Sequence, residues 1–129
     1  MPTELRLPDE PTVVLKIGSS SVVDGNGDLN RRAIDALLGE IASGLTKGFK
    51  PILVSSGAIA AGRGELGSET DHDDVDELQA LAAIGQIRLM ATYRELGAAR
   101  GLGVGQVLLT PQNFQNRTQY LYARATLTR

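Results

Sequence analysis

Cysteine is absent from the 129-residue chain. Its absence removes disulfides, thiol catalysis and thiolate metal sites, and it fits a reducing compartment. Long hydrophobic runs are missing as well. No stretch approaches the about 18 consecutive apolar residues of a membrane-spanning helix. The opening MPTELRLPDEP has no apolar core of the secretory kind, so no signal peptide is read there and a cytoplasmic location is expected. A large excess of either charge is also lacking. The net charge of −2 argues against a protein that wraps nucleic acid. What is present is a globular composition, 42% hydrophobic and 22% charged, in a chain long enough for one domain with a core.

The stretch that organises this chain is Val13 to Ser21, VVLKIGSSS. Branched aliphatic residues surround Lys16, and the run breaks at Gly18 into three serines. Such a run predicts a strand buried on both faces, as in a parallel sheet. The bend after Gly18 can turn backbone N–H groups and hydroxyls toward one small volume, which suits a phosphate or carboxylate. Lys16 adds a positive charge beside it. An ordinary strand end whose lysine reaches out to solvent has the same pattern.

Residues 1–12 carry three prolines and read as a flexible arm before a domain over 13–129. Asp24-Gly25-Asn26-Gly27-Asp28 is a turn or hairpin tip. It lacks the spacing and terminal glutamate of a calcium loop. A helix is predicted from about Arg31 to Lys47, capped by Asn30 and stopped at Gly48. Ile34, Leu37, Leu38, Ile41 and Leu45 form its apolar face. Ile52-Leu53-Val54 is a second buried strand, which completes a right-handed βαβ unit.

The second strand runs into Ser55-Ser56-Gly57-Ala58, and small residues open the next helix. The free N–H groups of that helix start face whatever binds at the strand end. Small residues there also serve plain packing. Both strands, however, end in glycine and serine at the same edge, and in parallel α/β proteins the carboxyl edge carries the ligand.

Ser68 to Glu77 is the most acidic run and holds the single histidine, His72. A solvated loop before a helix, with acids favoured by the helix dipole, explains it better than a metal site. A mobile flap near the ligand edge is the other reading of this run. The longest helix is expected from about Asp76 to Arg100, with Gly85 inside its buried stripe. A glycine there costs about 1 kcal/mol against alanine, which points to close contact with a neighbour or ligand. A third strand is predicted over 104–109, a polar loop over 112–117, and a last helix over 118–129.

Four blocks carry a family resemblance: Lys16-Ile17-Gly18-Ser19-Ser20, Ser55 to Gly62, Gln79 to Gln86, and Gly105 to Thr110. In this order and spacing the chain resembles the glutamate 5-kinases of the amino acid kinase family, from about Val13 to Leu127. Asn116-Arg117 and Ala123-Arg124 resemble that family's arginine-bearing helix. The resemblance implies a three-layer α/β/α sandwich with a mainly parallel sheet. It also implies transfer of the γ-phosphoryl group of ATP, with Mg²⁺, to the γ-carboxylate of L-glutamate. That reaction begins proline biosynthesis. By position, Lys16 is the catalytic lysine that neutralises the transferring phosphoryl. Gly18 and Ser19 bind phosphate, and Ser56, Gly57 and Ala58 bind the acceptor. No metal ligand is assigned, and no membrane or nucleic-acid partner is implied. A homo-oligomer is expected.

Two residues depart from the family pattern. Leu78 stands where a lysine usually precedes Gln79, and Tyr122 stands where an asparagine usually precedes Ala123-Arg124. Enzymes of this kind are about twice as long, so the sequence reads as the N-terminal part of such a kinase. The later acceptor-binding residues, a second phosphate lysine and the nucleotide pocket are then expected beyond Arg129, and the isolated chain is expected to be inactive. Two other readings stay open: a relative acting on a different acid or phosphate acceptor, and a non-catalytic fragment that binds an acidic ligand or other chains.

Overall fold

The structure is a computed structural model that describes residues 8–67 and 74–129. Its centre is a parallel pair of strands, β1 (Thr12–Ile17) and β2 (Lys50–Ser55). Val14 pairs with Ile52 and Lys16 with Val54. A parallel pair needs a crossover connection. Here it consists of a single helical turn α1 (Ser19–Val22), a small hairpin closed by a Val23–Leu29 bridge, and helix α2 (Arg31–Thr46). The Asp24 carboxylate holds the hairpin tip by accepting from the N–H groups of Asn26 at 2.9 Å and Asp28 at 3.0 Å. Asn30 caps α2 by accepting from the Ala33 N–H at 3.1 Å, which satisfies a donor the helix start leaves free. Gly48, at φ +85, makes the turn back into β2.

Successive strand residues face opposite sides of the sheet. Val13, Leu15, Ile17, Pro51 and Leu53 therefore share one face: Val13, Leu15 and Pro51 line an apolar cleft of about 230 Å³ with the α2 residue Ile41, and Ile17 and Leu53 pack on the main core. That core joins Val22, Leu29, Ile34 and Leu38 to Leu89 and Tyr93.

Helix α3 (Ala58–Leu66) ends at Gly67 in the left-handed region. Helix α4 (Val75–Ala99) is capped by Asp74, whose side chain accepts from the N–H groups of Asp76 and Glu77. Two helices follow, α5 (Pro111–Gln115) and α6 (Arg117–Leu127). They approach the other side of the sheet, where Leu109, Phe114, Tyr120, Leu127 and Ile52 border a cavity of about 250 Å³. The fold is thus mixed α/β, a parallel sheet between flanking helices, in the three-layer manner expected.

Several local expectations are corrected. The strands are not buried on both faces: Val14 is 64% exposed and Val54 47%, because α5 and α6 reach the sheet only around Ile52. The expected third strand is absent among the described residues. Residues 103–110 form no ladder, and Leu108 is 75% exposed. Gly101, Gly103 and Gly105 weaken strand formation there. The expected loop at 112–117 contains α5, which starts at Pro111 with Thr110 and Asn113 forming a capping box. The bend after Gly18 is the one-turn helix α1. Of the acidic run Ser68 to Glu77, residues 68–73 with His72 lie outside the described residues, as do residues 1–7 of the N-terminal arm, while Asp74, Asp76 and Glu77 stand at the start of α4.

Candidate active site

The two strand ends lie side by side. The Ser56 N–H donates to the Ile17 carbonyl at 3.1 Å, continuing the β1–β2 ladder past its last rung. Gly57 is buried and left-handed, at φ +111, and forms the N-terminal boundary of α3. A Cβ added there would sit 3.3 Å from Val22 Cγ1 and 3.7 Å from Ser19 Cα. The left-handed φ therefore favours glycine at this position, and the tight fit against Val22 adds to the preference. Gly57 brings the start of α3 against the start of α1, so the glycine–serine clusters after β1 and β2 form one surface.

Backbone donors are available along that surface. The Ala61 N–H makes the first bond of α3, to Gly57 O at 2.9 Å. The amides of Gly57, Ala58, Ile59 and Ala60 precede it and have no acceptor among the described residues. In α1 the N–H groups of Ser21 and Val22 turn back to the Gly18 carbonyl, and those of Ser19 and Ser20 have no acceptor among the described residues. Lys16 stands one residue before the end of β1, beside Val54, exposed and without an ion-pair partner among the described residues. A cation next to a set of unpaired N–H groups favours an anionic ligand. All six residues singled out from the sequence, Lys16, Gly18, Ser19, Ser56, Gly57 and Ala58, fall at this one edge.

The edge rests on α4 through glycines. A Cβ at Gly85 would collide with the Ala58 carbonyl, and one at Gly62 with the Leu81 carbonyl. The close neighbour expected for Gly85 is thus the first residue of α3. Arg88 braces the same contact. It donates to Asp28 at 3.0 Å, lies 3.4 Å from Glu65, and reaches the Ala61 carbonyl at 3.4 Å.

One participant carried no sequence signal as a site residue. Tyr93 is 3% exposed, and its hydroxyl lies 2.8 Å from Ser55 Oγ. Ser55 Oγ in turn donates to the Ser56 carbonyl at 3.0 Å. Burial pushes the Tyr93 hydroxyl pKa up, so the phenol keeps its proton. Sequence reasoning placed Tyr93 only in the helical stripe.

No cluster of three or more acidic, histidine or cysteine side chains that could hold a metal ion occurs among the described residues. A cation and unpaired amides at the strand ends are the kind of donor set that suits phosphate oxygens.

A sequence profile of the amino acid kinase family matches residues 11–129. This chain belongs to the amino acid kinase family. Among curated members of the family, it is 49% identical over 115 residues to the glutamate 5-kinase of Pelobacter propionicus, an alignment covering 89% of this chain and 31% of that enzyme. The glutamate 5-kinase of Bifidobacterium adolescentis is 45% identical over 118 residues, covering 92% of this chain and 31% of the relative. That of Methylococcus capsulatus is 38% identical over 127 residues, covering 98% and 34%. The chain thus spans about a third of the length of the curated relatives it matches, so these are about three times as long and not twice as expected.

Proposed function

We propose that this amino acid kinase chain forms the acceptor side of a site that phosphorylates the γ-carboxylate of L-glutamate, giving glutamyl 5-phosphate for proline biosynthesis. The observation that carries the reading is the meeting of the two strand ends, with Gly57 against Ser19 and Lys16 on the neighbouring rung. In this scheme the amides at Gly57 and Ala58, with Ser56, hold the acceptor. Gly18 and Ser19 hold phosphate oxygens. A γ-carboxylate oxygen attacks the γ-phosphorus, the bond to the bridging β–γ oxygen breaks, and its electron pair leaves with ADP. Charge spreads over the equatorial phosphoryl oxygens during this step, and in this reading the Lys16 ammonium neutralises it. No protein nucleophile takes part. The likeness to glutamate 5-kinases supports glutamate as the acceptor.

Binding and turnover separate in this chain. Two apolar cavities among the described residues lie away from the strand ends, one beside Val13 and Phe49 and the other beside Ile52 and Phe114. Neither provides an apolar slot for a nucleotide base next to Lys16, and in-line transfer needs the donor fixed as firmly as the acceptor. Titration of the chain with L-glutamate, followed by amide resonances, is expected to perturb Gly57 to Ala60. L-Glutamine, which lacks the γ-carboxylate, is expected to leave them unmoved. Equal responses to the two would overturn the acceptor reading. An ADP-release assay with glutamate and Mg²⁺-ATP is expected to show no turnover from this chain. Glutamate-dependent turnover that disappears in Lys16→Met would show instead that the chain catalyses by itself.

A further inference from the structure

The Ser56–Gly57 peptide is gripped from one side. Its carbonyl can only accept, and it accepts from Ser55 Oγ at 3.0 Å. Ser55 has one hydroxyl proton, and that proton is committed to Ser56. The 2.8 Å contact between Ser55 Oγ and the Tyr93 hydroxyl must then use the phenol as donor. Polarity is therefore forced along the chain: Tyr93 O–H to Ser55 Oγ, and Ser55 O–H to the Ser56 carbonyl. Tyr93 is 3% exposed and sits in the core beside Leu89 and Ile34, so the relay starts from a rigid anchor.

A trans peptide sets its C=O and N–H in opposite directions. With the Ser56 carbonyl drawn toward Ser55 on the α4 side, the Gly57 N–H points the other way. That N–H has no acceptor among the described residues. Resting on the acceptor reading above, we propose that Tyr93 is a positioning residue: acting through Ser55, it aims the Gly57 amide at the acceptor carboxylate. It touches no ligand itself.

The test uses the full chain with Tyr93→Phe, Ser55→Ala, the double variant, and Ser55→Thr, which keeps the hydroxyl. In the ligand-free protein, Tyr93→Phe and Ser55→Ala are each expected to shift the Ser56 carbonyl carbon and the Gly57 amide. The double variant is expected to shift them no further than Ser55→Ala, because the relay passes through Ser55. Ser55→Thr should restore the native positions. Affinity for L-glutamate should fall about fivefold in Tyr93→Phe, the size of one ordinary net hydrogen bond, with Gly57 losing most of its response. Unchanged Ser56 and Gly57 resonances, or additive shifts in the double variant, would overturn the proposal. Should the native chain ignore glutamate, the acceptor reading fails on its own, and the ligand-free resonances still decide whether Tyr93 sets this peptide. If Tyr93→Phe does not fold, the Ser55→Ala and Ser55→Thr pair decides, since Ser55 is exposed.

Discussion

Helices α3 and α4 meet backbone to backbone, whereas α5 and α6 meet the sheet around an open cavity at Ile52 and bury no residue of their own. Gly62 lets α3 approach the Leu81 carbonyl, and Gly85 lets α4 approach the Ala58 carbonyl. Arg88 then ties both helices to the hairpin at Asp28. In the α5–α6 pair no residue is buried, and Phe114 and Tyr122 are largely exposed. Yet its ends are well capped: Asn113 at Thr110, and Asn116 accepting from the Gln119 N–H at 3.1 Å. Good caps favour a helix locally, but a short helix draws most of its stability from packing. Helix formation and anchoring are thus distinct properties here, and the candidate site stands on the anchored pair.

The widest separation between the two pairs should come from core truncation. Leu89→Ala in α4 removes a side chain that is almost wholly buried and is expected to cost about 2–5 kcal/mol. Leu121→Ala in α6, already half exposed, is expected to cost under about 1 kcal/mol. Urea melts of both variants measure the difference, and equal losses would mean that α6 is anchored as firmly as α4. A smaller contrast tests the glycine contacts. Gly85→Ala forces a methyl against the Ala58 carbonyl and should destabilise by about 1–3 kcal/mol. Gly105→Ala enters open space and should stay within about 0.5 kcal/mol of the native chain. Thermal melts with amide shifts at 57–60 would show whether only the first disturbs the strand end.

The smallest effect is electrostatic. Arg100 binds Asp35 through two hydrogen bonds, 2.9 and 2.8 Å, which joins α4 to α2. The Arg100 hydrogen bond holds the Asp35 carboxyl below its ordinary range. A lowered folded pKa stabilises above the ordinary aspartate range, and the gain fades as pH falls through the lowered value. Both groups are partly exposed, so salt should shrink the effect further. Melts of native chain and Asp35→Asn from neutral to acid pH are expected to converge on the acid side. A gap that persists in acid would rule out the charge pair as its cause.

Much of this was legible in the sequence because the signals were local. Asn30 and Gly48 bound α2, the apolar runs before Gly18 and Gly57 are strands, and both glycine–serine clusters lie at one edge. Gly85 was also legible as a close contact, since only space explains a glycine in a buried helical stripe. What stayed hidden depends on partners distant in the chain. Val107 to Leu109 has the side chains of a strand, but a strand exists only where another offers a ladder. The exposure of Val14 and Val54 depends on how far α5 and α6 spread over the sheet. The hydrogen bond between Ser55 and Tyr93 joins residues 38 apart, and neither residue type announces it.

The parallel register has a kinetic consequence. Every rung, from Thr12–Lys50 to Ile17–Ser55, joins residues separated by the whole of α1, the hairpin and α2. Helices form in about a microsecond or less, whereas such non-local pairing waits on loop closure. The bond from Ser56 to Ile17 lies beyond the last rung, at the edge where a ligand would sit. Before β1 and β2 have zipped together, the two segments of the candidate site belong to separate parts of an unfolded chain. An anion held by both segments would recognise only the finished fold, and by mass action it would shift the equilibrium away from the unfolded state. Ligand affinity at this edge and the stability of the parallel pair would then be linked through one equilibrium.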